Sequence, residues 1–440
     1  MKIKADIEKF VSEHMPERTW EAGKDWVQYS GTWYDNKEYE AIILSLMSGW
    51  FGVGVQAIRF ESEFSKQFNK KHGVFVNSGS SANLLMLSAL KSKNGYNFPI
   101  GTKIACPIAG FPTTINPIYQ CGFSPVFVDI ELDSLNLDTN QAWEVVDRDT
   151  NIKAMIFAHA LGNSPDMGKV IEIVKQYDLI LLEDCCDALG SKYNGHPLGS
   201  YGVMASCSFA PAHHISTGVG GMVCTNDDNL EKIMRSLASW GRGCACSGKS
   251  SLSENGVCGC RFSEWIPELP GEIFDHKYIY NEIGYNLVPL ELQAAIGRVQ
   301  LDKLPEIIKR RNENYNRLHS IFSEYEDLFY LHKAQKNADV SWFAFPVTLK
   351  DGVKFKRHDL CIYFEKHKIQ TRPYFAGNLM MQPAYSGKMS VEDIKKYPVA
   401  NKVMKDTFFL GVSPMVTRDM IDYIGITLKS FLNDRSRVHS

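Results

Sequence analysis

The chain has 440 residues, of which 44% are hydrophobic and 22% charged, a composition typical of a globular enzyme. This length exceeds what one hydrophobic core usually serves, so we expect two domains. Its 48 Lys and Arg nearly balance 50 Asp and Glu, which gives no electrostatic reason to expect nucleic acid or an anionic membrane as a partner. The amino-terminal sequence is charged and amphipathic, and no apolar run approaches the ~20 residues that span a bilayer, so we expect a cytoplasmic protein.

Between about residues 74 and 225, short apolar runs alternate with helical stretches. We predict helices at MLSALK and near 166–177 and 228–239, and strands at GVFVNS, KIACPIAG, PVFVDI, IKAMIFAHA, LILLED, ASCSFA and GGMVCTND. Such alternation predicts an α/β fold with a mostly parallel sheet between layers of helices. Ligands of these sheets bind at the carboxyl ends of the strands, so the loops after the runs are the candidate sites.

The second half of the chain begins with a break in this pattern. Residues 241–275 are rich in Gly, Ser and Cys, and a loop this long inside a compact enzyme is usually functional. One helix is then predicted from about Pro289 and another after Pro305, followed by a second α+β set from about residue 340. We therefore expect a helical arm at 1–50, a large domain at 51–300 that includes the 241–262 loop, and a smaller carboxyl-terminal domain at 301–440.

Three short segments carry candidate chemistry. The turn around Gly79 follows a strand and opens a helix, where exposed N–H groups can bind phosphate, although a simple N-capped helix has the same pattern. Asp184 ends an apolar strand, a place that suits pairing with a cofactor or metal as well as a helix cap. His213 and His214 stand between two strands, and adjacent histidines are often only structural.

The order and spacing of these segments resemble the DegT/DnrJ/EryC1/StrS family of sugar aminotransferases from about residue 50 to the carboxyl terminus. This resemblance implies the type I aminotransferase fold, pyridoxal phosphate and a homodimer with its sites at the interface. It further implies phosphate contacts, a ring-stacking aromatic residue, a partner for the pyridine nitrogen, a second acidic cofactor contact and an asparagine from the partner subunit. The phosphate contacts map to Ser80, Ser81 and Ser208, and the stacking aromatic residue maps to Phe111. The partner of the pyridine nitrogen maps to Asp184, the second acidic contact to Asp187 and the asparagine to Asn286.

The family's catalytic lysine is missing, and His213 occupies its position. Without this lysine the cofactor cannot be held covalently, but a histidine can still act as a base near neutral pH. The same change is found in a branch of the family, the sugar 3-dehydratases that depend on pyridoxamine 5′-phosphate (PMP). In that branch the histidine removes a proton from the cofactor while the 3-hydroxyl of a 4-keto sugar nucleotide leaves. We therefore expect His213 to be the catalytic base.

The cysteines bear on which of two dehydratase mechanisms applies. One group of these enzymes needs no iron, and the other, acting on CDP-6-deoxy-L-threo-D-glycero-4-hexulose, uses a [2Fe–2S] cluster. Cys186 and Cys244 are separated by 57 residues and Cys246 follows closely, a spacing similar to that of the iron–sulfur enzymes. The resemblance makes Cys258 the fourth ligand. Four thiolates also suit zinc, and a local zinc site could be formed by Cys244, Cys246, Cys258 and Cys260.

The expected function is PMP- and [2Fe–2S]-dependent C3 dehydration of an NDP-4-keto-6-deoxyhexose, on the way to a 3,6-dideoxyhexose of lipopolysaccharide O-antigen. An NADH-dependent flavin and iron–sulfur reductase, or a ferredoxin, would supply electrons transiently at the 241–262 loop. His214, Arg372 and Asn378 are the candidates for substrate contacts. The alternatives are a cluster-free dehydratase of the GDP-4-keto-6-deoxy-mannose type with a structural zinc, or a non-catalytic sugar-nucleotide sensor. The nucleotide and the hexose stay open.

Overall fold

The computed structural model of the chain describes residues 2–16, 19–244, 261–262 and 264–438. The helices are α1 Lys2–His14, α2 Asn36–Met47, α3 Val55–Ser65, α4 Gly79–Lys91, α5 Pro112–Gln120, α6 Thr139–Arg148, α7 Met167–Gln176, α8 Asp228–Ala238, α9 Glu291–Ser323, α10 Arg357–Lys366, α11 Val391–Ile394, α12 Pro398–Asp406 and α13 Arg418–Val438. The strands are β1 His72–Val76, β2 Lys103–Pro107, β3 Ser124–Val128, β4 Ile152–Ala158, β5 Ile180–Asp184, β6 Lys192–Tyr193, β7 His196–Pro197, β8 Met204–Ser208, β9 Gly221–Thr225, β10 Glu264–Trp265, β11 Ile273–Phe274, β12 Phe329–Leu331, β13 Ala338–Asp339, β14 Ala344–Leu349, β15 Arg372–Pro373 and β16 Thr407–Gly411.

A seven-stranded sheet in the order β1-β9-β8-β5-β4-β2-β3 forms the large part of the molecule. Its strands are the seven that the apolar runs predict, and those from β8 through β5, β4 and β2 to β3 are parallel. Strand β9 runs antiparallel to both of its neighbours. The sheet is buried on both faces: Leu182 of β5 packs into one apolar cluster and Leu181 into the other. The carboxyl ends of the parallel strands therefore meet at one edge, where a site can form.

Helix α9 corrects one prediction. The sequence was expected to form two helices separated at Pro305, but the structure has a single helix of 33 residues with Pro305 inside it. Its buried face continues across the proline, with Leu304 before it and Ile307 after it. This packing outweighs the local cost of a missing N–H. The domain boundary predicted at residue 300 falls within α9.

The carboxyl-terminal part contains a four-stranded sheet in the order β12-β14-β16-β15. Its apolar cluster includes Tyr315 and Phe322 of α9 together with Phe345 and Phe408 of the sheet. The segment before α2 joins this region, because Val27 pairs with Ile369 in a parallel bridge. Across the residues described, none of the helices is both long and apolar enough to span a membrane.

Candidate active site

A cavity of about 750 Å³ opens at the carboxyl ends of the parallel strands and extends toward the carboxyl-terminal sheet. A volume of this order is in the range of small-molecule and cofactor sites. Eight residues singled out by the sequence line it together: Ser80, Phe111, Asp184, Cys186, Asp187, Ser208, His213 and Arg372. They come from five separate segments of the chain, so the fold brings together what the sequence only spaces apart.

One end of the cavity is formed by the first turn of α4. The Ser78 hydroxyl caps this helix by accepting a hydrogen bond from the Ser81 N–H at 3.1 Å. Gly79 lies directly against Ser208 of β8, since a Cβ on Gly79 would come within 2.9 Å of Ser208 Oγ and closer still to its Cβ. The open helix terminus and the Ser208 hydroxyl thus lie side by side, an arrangement suited to a phosphate.

The Asp184 carboxylate, at the end of β5, is 4% exposed and fixed by hydrogen bonds. Its Oδ2 accepts from Asn83 Nδ2 at 2.7 Å and from Thr114 Oγ1 at 2.8 Å, while Oδ1 accepts from the Cys186 N–H at 3.1 Å. The Ser206 hydroxyl donates to the Asn83 side-chain oxygen and so fixes the orientation of that amide. An acceptor held this rigidly in a cavity wall can pair with a protonated ring nitrogen.

His213 lies in the turn between β8 and β9. Its Nδ1 is buried without a hydrogen-bond partner and stands 3.5 Å from Asp187 Oδ1, while its ring packs against Phe343 at 5.4 Å between centroids. Burial lowers the pKa of His213 to about 4, with Asp184 opposing this shift and Arg311 adding to it. Burial also raises the pKa of Asp187 to about 7. His213 is therefore neutral near neutral pH and able to accept a proton.

The outer wall of the cavity is aromatic and carries one cation. The Arg372 guanidinium lies 4.1 Å from the ring centroid of Tyr29 and donates to the Thr371 carbonyl at 2.7 Å. The arginine–carboxylate pairs of the described ranges all involve other arginines, so no carboxylate there lies within ion-pair distance of Arg372. Phe375 contributes a ring next to Phe111 and has a φ of +42°, a conformation rare outside glycine.

Other predicted site residues lie outside the cavity lining. Ser81 hydrogen-bonds Asn77, His214 is buried against the Ser341 carbonyl, and Asn378 caps a short 3-10 turn. Asn286 is exposed on the surface, and Cys244 is half-buried at the edge of a described segment. The remaining predicted metal ligands, Cys246 and Cys258, lie outside the described residues, as does Cys260.

Sequence reasoning missed four residues that organise the site: Asn83, Thr114, Phe343 and Arg311. Arg311 is the least expected, because it follows Lys309 and Arg310 and reads as part of a solvated charged face. A signal was nevertheless present. Arg311 falls on the helical stripe that also contains the buried Leu304, Ile307, Tyr315, Leu318 and Phe322.

Behind the cavity, Glu183 points to the opposite face of β5 from Asp184. Its Oε2 accepts from the Gly199 N–H at 2.8 Å and contacts His159 Nε2 at 2.9 Å, while Oε1 accepts from the N–H groups of Tyr201 and Gly202. Cys185 lies close to Glu183 and His159. Because these donors already occupy both carboxylate oxygens, the group is best understood as a buried anchor for the loop after β7.

The residues present fit a pyridine cofactor that carries a phosphate. The α4 terminus and Ser208 would hold the phosphate, Asp184 the ring nitrogen, and Phe111 one face of the ring. Among the residues described, no lysine lines the cavity, so no side chain there could hold the cofactor as a Schiff base. His213, which the family resemblance predicts at the position of such a lysine, lines the cavity. Its buried Nδ1 faces Asp187, so Nε2 is the ring nitrogen that can meet a ligand.

The model of the DegT/DnrJ/EryC1/StrS aminotransferase family matches residues 33–429, and the chain belongs to this family. It is 35% identical to the lipopolysaccharide biosynthesis protein RfbH of Salmonella typhimurium over 97% of this chain and 96% of that protein. It is 36% identical to dTDP-4-dehydro-2,6-dideoxy-D-glucose 3-dehydratase of Saccharopolyspora spinosa, covering 94% of this chain and 88% of that enzyme.

The solved structures support the same grouping. GDP-4-keto-6-deoxy-D-mannose-3-dehydratase of E. coli with bound hydrated pyridoxal phosphate (PLP) superposes with a TM-score of 0.78 at 28% identity, over 92% of this chain and all of that one. The predicted type I aminotransferase fold, a large α/β sheet domain with a smaller α+β domain, is therefore confirmed. Sugar 3-dehydratases are among the relatives whose names state an activity, as the resemblance implied.

Proposed function

We propose that this protein is a PMP-dependent sugar-nucleotide dehydratase that removes the C3 hydroxyl of an NDP-4-keto-6-deoxyhexose. The observation that carries the proposal is His213 in a cavity that Ser80, Ser208, Phe111 and Asp184 also line and that has no lysine in its described lining. A sugar aminotransferase of this fold would need that lysine. Relatives that cover most of the chain are named as 3-dehydratases of 4-keto deoxy sugars.

The chain's own residues divide the work as follows. Helix α4 and Ser208 bind the cofactor phosphate, Phe111 stacks on its ring, and Asp184 keeps the ring nitrogen protonated. When bound, the cofactor supplies an amine for the sugar ketone and an electron sink for loss of the hydroxyl. His213 accepts and returns a proton at Nε2, the ring nitrogen that does not face Asp187. The aromatic wall excludes water from this step.

Arg372 is the candidate for the substrate's diphosphate. Its guanidinium is half-buried in the cavity wall and stacked on Tyr29, and its only hydrogen-bond acceptor among the described atoms is a neutral carbonyl. A cation held in this way is ready for an anionic ligand, and the planar guanidinium suits bidentate phosphate binding. His214 and Asn378 would then support the pocket without touching the substrate.

The finer mechanism that we propose is reductive. Cys186 lies in the cavity wall, two residues after Asp184, so a cluster bound there would stand next to the reacting centre. Gly243, just before Cys244, is tied down by its N–H to the Ile279 carbonyl at 2.7 Å. The thiols of Cys186 and Cys244, together with those of Cys246 and Cys258, would form a [2Fe–2S] site. A flavin and iron–sulfur reductase, or a ferredoxin, would supply its electrons in the cytoplasm.

We also propose a homodimer. Backbone contacts link the segment of the exposed Asn286 to that of Trp240, and the start of α9 to Phe51. These linked segments carry several exposed apolar side chains, namely Trp50, Phe51, Trp240, Ile283 and Leu290. Ile283 is 98% exposed, and exposed apolar side chains that group together mark interaction surfaces. Burial of this region against a second copy would bring Asn286 close to the partner's cofactor.

A cluster-free dehydratase that takes its electrons from glutamate is the second candidate. It is favoured by the solved relative with bound PLP, which is named for a GDP-linked 4-keto-6-deoxy sugar. Both routes remove one oxygen from the sugar overall. They differ in the reductant, because the glutamate route releases ammonia and the reductive route consumes two electrons from an external donor.

The test is turnover by protein purified without oxygen and loaded with PMP. CDP-, dTDP- and GDP-linked 4-keto-6-deoxyhexoses are supplied separately, each with either reduced ferredoxin or glutamate. The masses of the products are measured by mass spectrometry. The proposal expects a 3-deoxy product from at least one nucleotide. Transfer of an amino group to the sugar, or no change in any of the six mixtures, would refute it.

A further inference from the structure

Arg311 lies beneath the turn that carries His213, in the middle of helix α9. It is 1% exposed. Its Nη2 donates to the His213 carbonyl at 2.9 Å and to the Ala212 carbonyl at 3.3 Å, and its Nη1 donates to the Phe343 carbonyl at 2.9 Å. All three acceptors belong to segments that line the cavity, so one side chain joins two of its walls from below.

The charge of Arg311 is unusual in this setting. No carboxylate of the described chain forms an ion pair with it, although Asp187 is near enough to raise its pKa against the lowering by burial. Burying a guanidinium without an ion-pair partner is costly, and packing alone would be served at lower cost by an apolar side chain. Its neighbour Arg310 shows the ordinary alternative, pairing with Glu306 and lying over Trp33.

Besides Arg311, a neighbouring side chain of the His213 turn also reaches the Phe343 segment, since His214 Nε2 lies 3.1 Å from the Ser341 carbonyl. In the part of the chain that is described, the His213 backbone makes one further hydrogen bond, from its N–H to the Ala210 carbonyl at 3.0 Å. Its Nδ1 makes no hydrogen bond but stands 3.5 Å from Asp187 Oδ1, and the ring packs against Phe343 and interacts with the Cys186 backbone. Since Arg311 holds the carbonyl of Phe343 as well, it fixes both the turn and the surface against which the imidazole rests.

We propose that Arg311 is a positioning residue for the dehydration, tying the His213 turn to the Phe343 segment so that the imidazole stays at a fixed depth in the cavity. This inference rests on the proposed function. Arg311 acts only through His213, and touches neither cofactor nor sugar. Proton transfer demands such precision, because small displacements of a base lower the rate without weakening substrate binding.

The test compares Arg311→Met, which removes the three donors, Arg311→Lys, which keeps the charge but not the fork, and Arg310→Met as the matched control. Arg311→Met should lower kcat by at least about tenfold while KM and cofactor content change by less than about threefold. Arg311→Lys should fall between Arg311→Met and the native chain, and Arg310→Met should leave all three unchanged. A fall in kcat together with a comparable rise in KM and a loss of cofactor would indicate a merely structural residue and overturn the proposal.

Amide hydrogen exchange on the protein without substrate gives a second readout that does not depend on activity. In Arg311→Met the segments 209–216 and 341–345 should lose protection together, while β4 stays as in the native chain. Unchanged protection in both segments would overturn the inference. If Arg311→Met does not fold, Arg311→Lys decides by the same measurement. Failure of the native chain to turn over any sugar nucleotide would instead refute the proposed function. Hydrogen exchange would still test whether Arg311 joins the two segments.

Discussion

Gly79 lies so close to Ser208 that no side chain fits between them: a Cβ on residue 79 would stand 2.9 Å from Ser208 Oγ. The contact sets the first turn of α4 beside the end of β8, which is where the phosphate contacts of the site converge. The expected consequence is that Gly79→Ala weakens cofactor binding by about tenfold or more and destabilises the fold by about 1–3 kcal/mol through overpacking. Titration with PMP followed by fluorescence, together with urea unfolding, would measure both.

The matched control is Gly52→Ala. The nearest atom to a Cβ there is 3.8 Å away and belongs to Trp50, and its φ is not positive. This variant should bind the cofactor as the native chain does. If Gly79→Ala bound the cofactor equally well, the phosphate would have to lie elsewhere.

Replacing His213 separates the base from the pocket. His213→Asn keeps a polar side chain but cannot take a proton, so turnover should fall by about 10²–10⁴-fold with KM little changed, as for loss of a general base. The adjacent His214→Asn is the comparison, because His214 is bound to the Ser341 carbonyl outside the cavity lining. It should lower stability and reduce kcat far less than His213→Asn does. Steady-state kinetics on both variants checks this, and equal losses of kcat would contradict the assignment.

Asp184→Asn tests the partner of the ring nitrogen. The amide would lose the charge and turn donors toward Asn83 and Thr114, which already donate to this position. We expect turnover to fall by at least about 10²-fold, because the ring is no longer an effective electron sink. Asp138→Asn is a suitable control, since Asp138 only caps α6 and asparagine caps helices equally well. Retention of full activity by Asp184→Asn would show that the ring nitrogen is bound differently.

The proposed cluster can be tested on single cysteines. In protein prepared anaerobically, Cys186→Ala and Cys244→Ala should each lose most of the iron and acid-labile sulfide and the visible absorbance, because every ligand of a four-thiolate site is needed. Cys361→Ala is the control, being half-buried in α10 outside the cavity. A colourless native protein with one zinc per chain would refute the cluster and favour the second candidate.

His332 provides a prediction about stability and pH. Its ring bridges the Leu132 carbonyl and the Thr348 hydroxyl, each at 2.8 Å, and burial lowers its pKa to about 4. The unfolded chain binds a proton near pH 6.5 and the folded chain only near pH 4, so the stabilisation is complete above pH 6.5 and is lost as the pH falls toward 4. The cost is at most about 3 kcal/mol.

Urea unfolding at pH 7 and pH 5 would check this slope. In His332→Asn the fall in unfolding free energy over this interval should be smaller than in the native chain, whereas the exposed His196→Asn should show the native slope. An unchanged slope in His332→Asn would mean that other buried groups dominate the acid response.

The sequence predicts the sheet well and its connections less well. Each strand of the main sheet is an apolar run bounded by turn residues, so its position can be read directly. The antiparallel direction of β9 cannot, because GMVCT is equally apolar in either direction and only its pairing with both β8 and β1 fixes it. Pro305 misled for a physical reason: its local penalty is visible in the sequence, and the packing of Leu304 and Ile307 that overcomes it is not.

The site divides in a similar way. Asp184, Ser208 and His213 could be found because they follow strands at fixed spacing and match the family pattern. Arg311 lies about a hundred residues away from His213 and acts on backbone carbonyls, which leave no mark in a sequence. The substrate contacts were the weakest predictions, since a polar residue in a loop, such as Asn378, can cap a turn as readily as bind a ligand.

Helix α9 has a consequence for how the molecule comes apart. It runs about 50 Å as one rod, and its buried stripe packs Ala294 into the core of the main sheet and Phe322 into that of the smaller one. A cut at residue 300 would leave about the first third of the helix on one fragment and the rest on the other, and each fragment would have an open apolar groove. We therefore expect the two regions to melt in a single transition, and limited proteolysis of the native chain to find no cleavage site between residues 291 and 323.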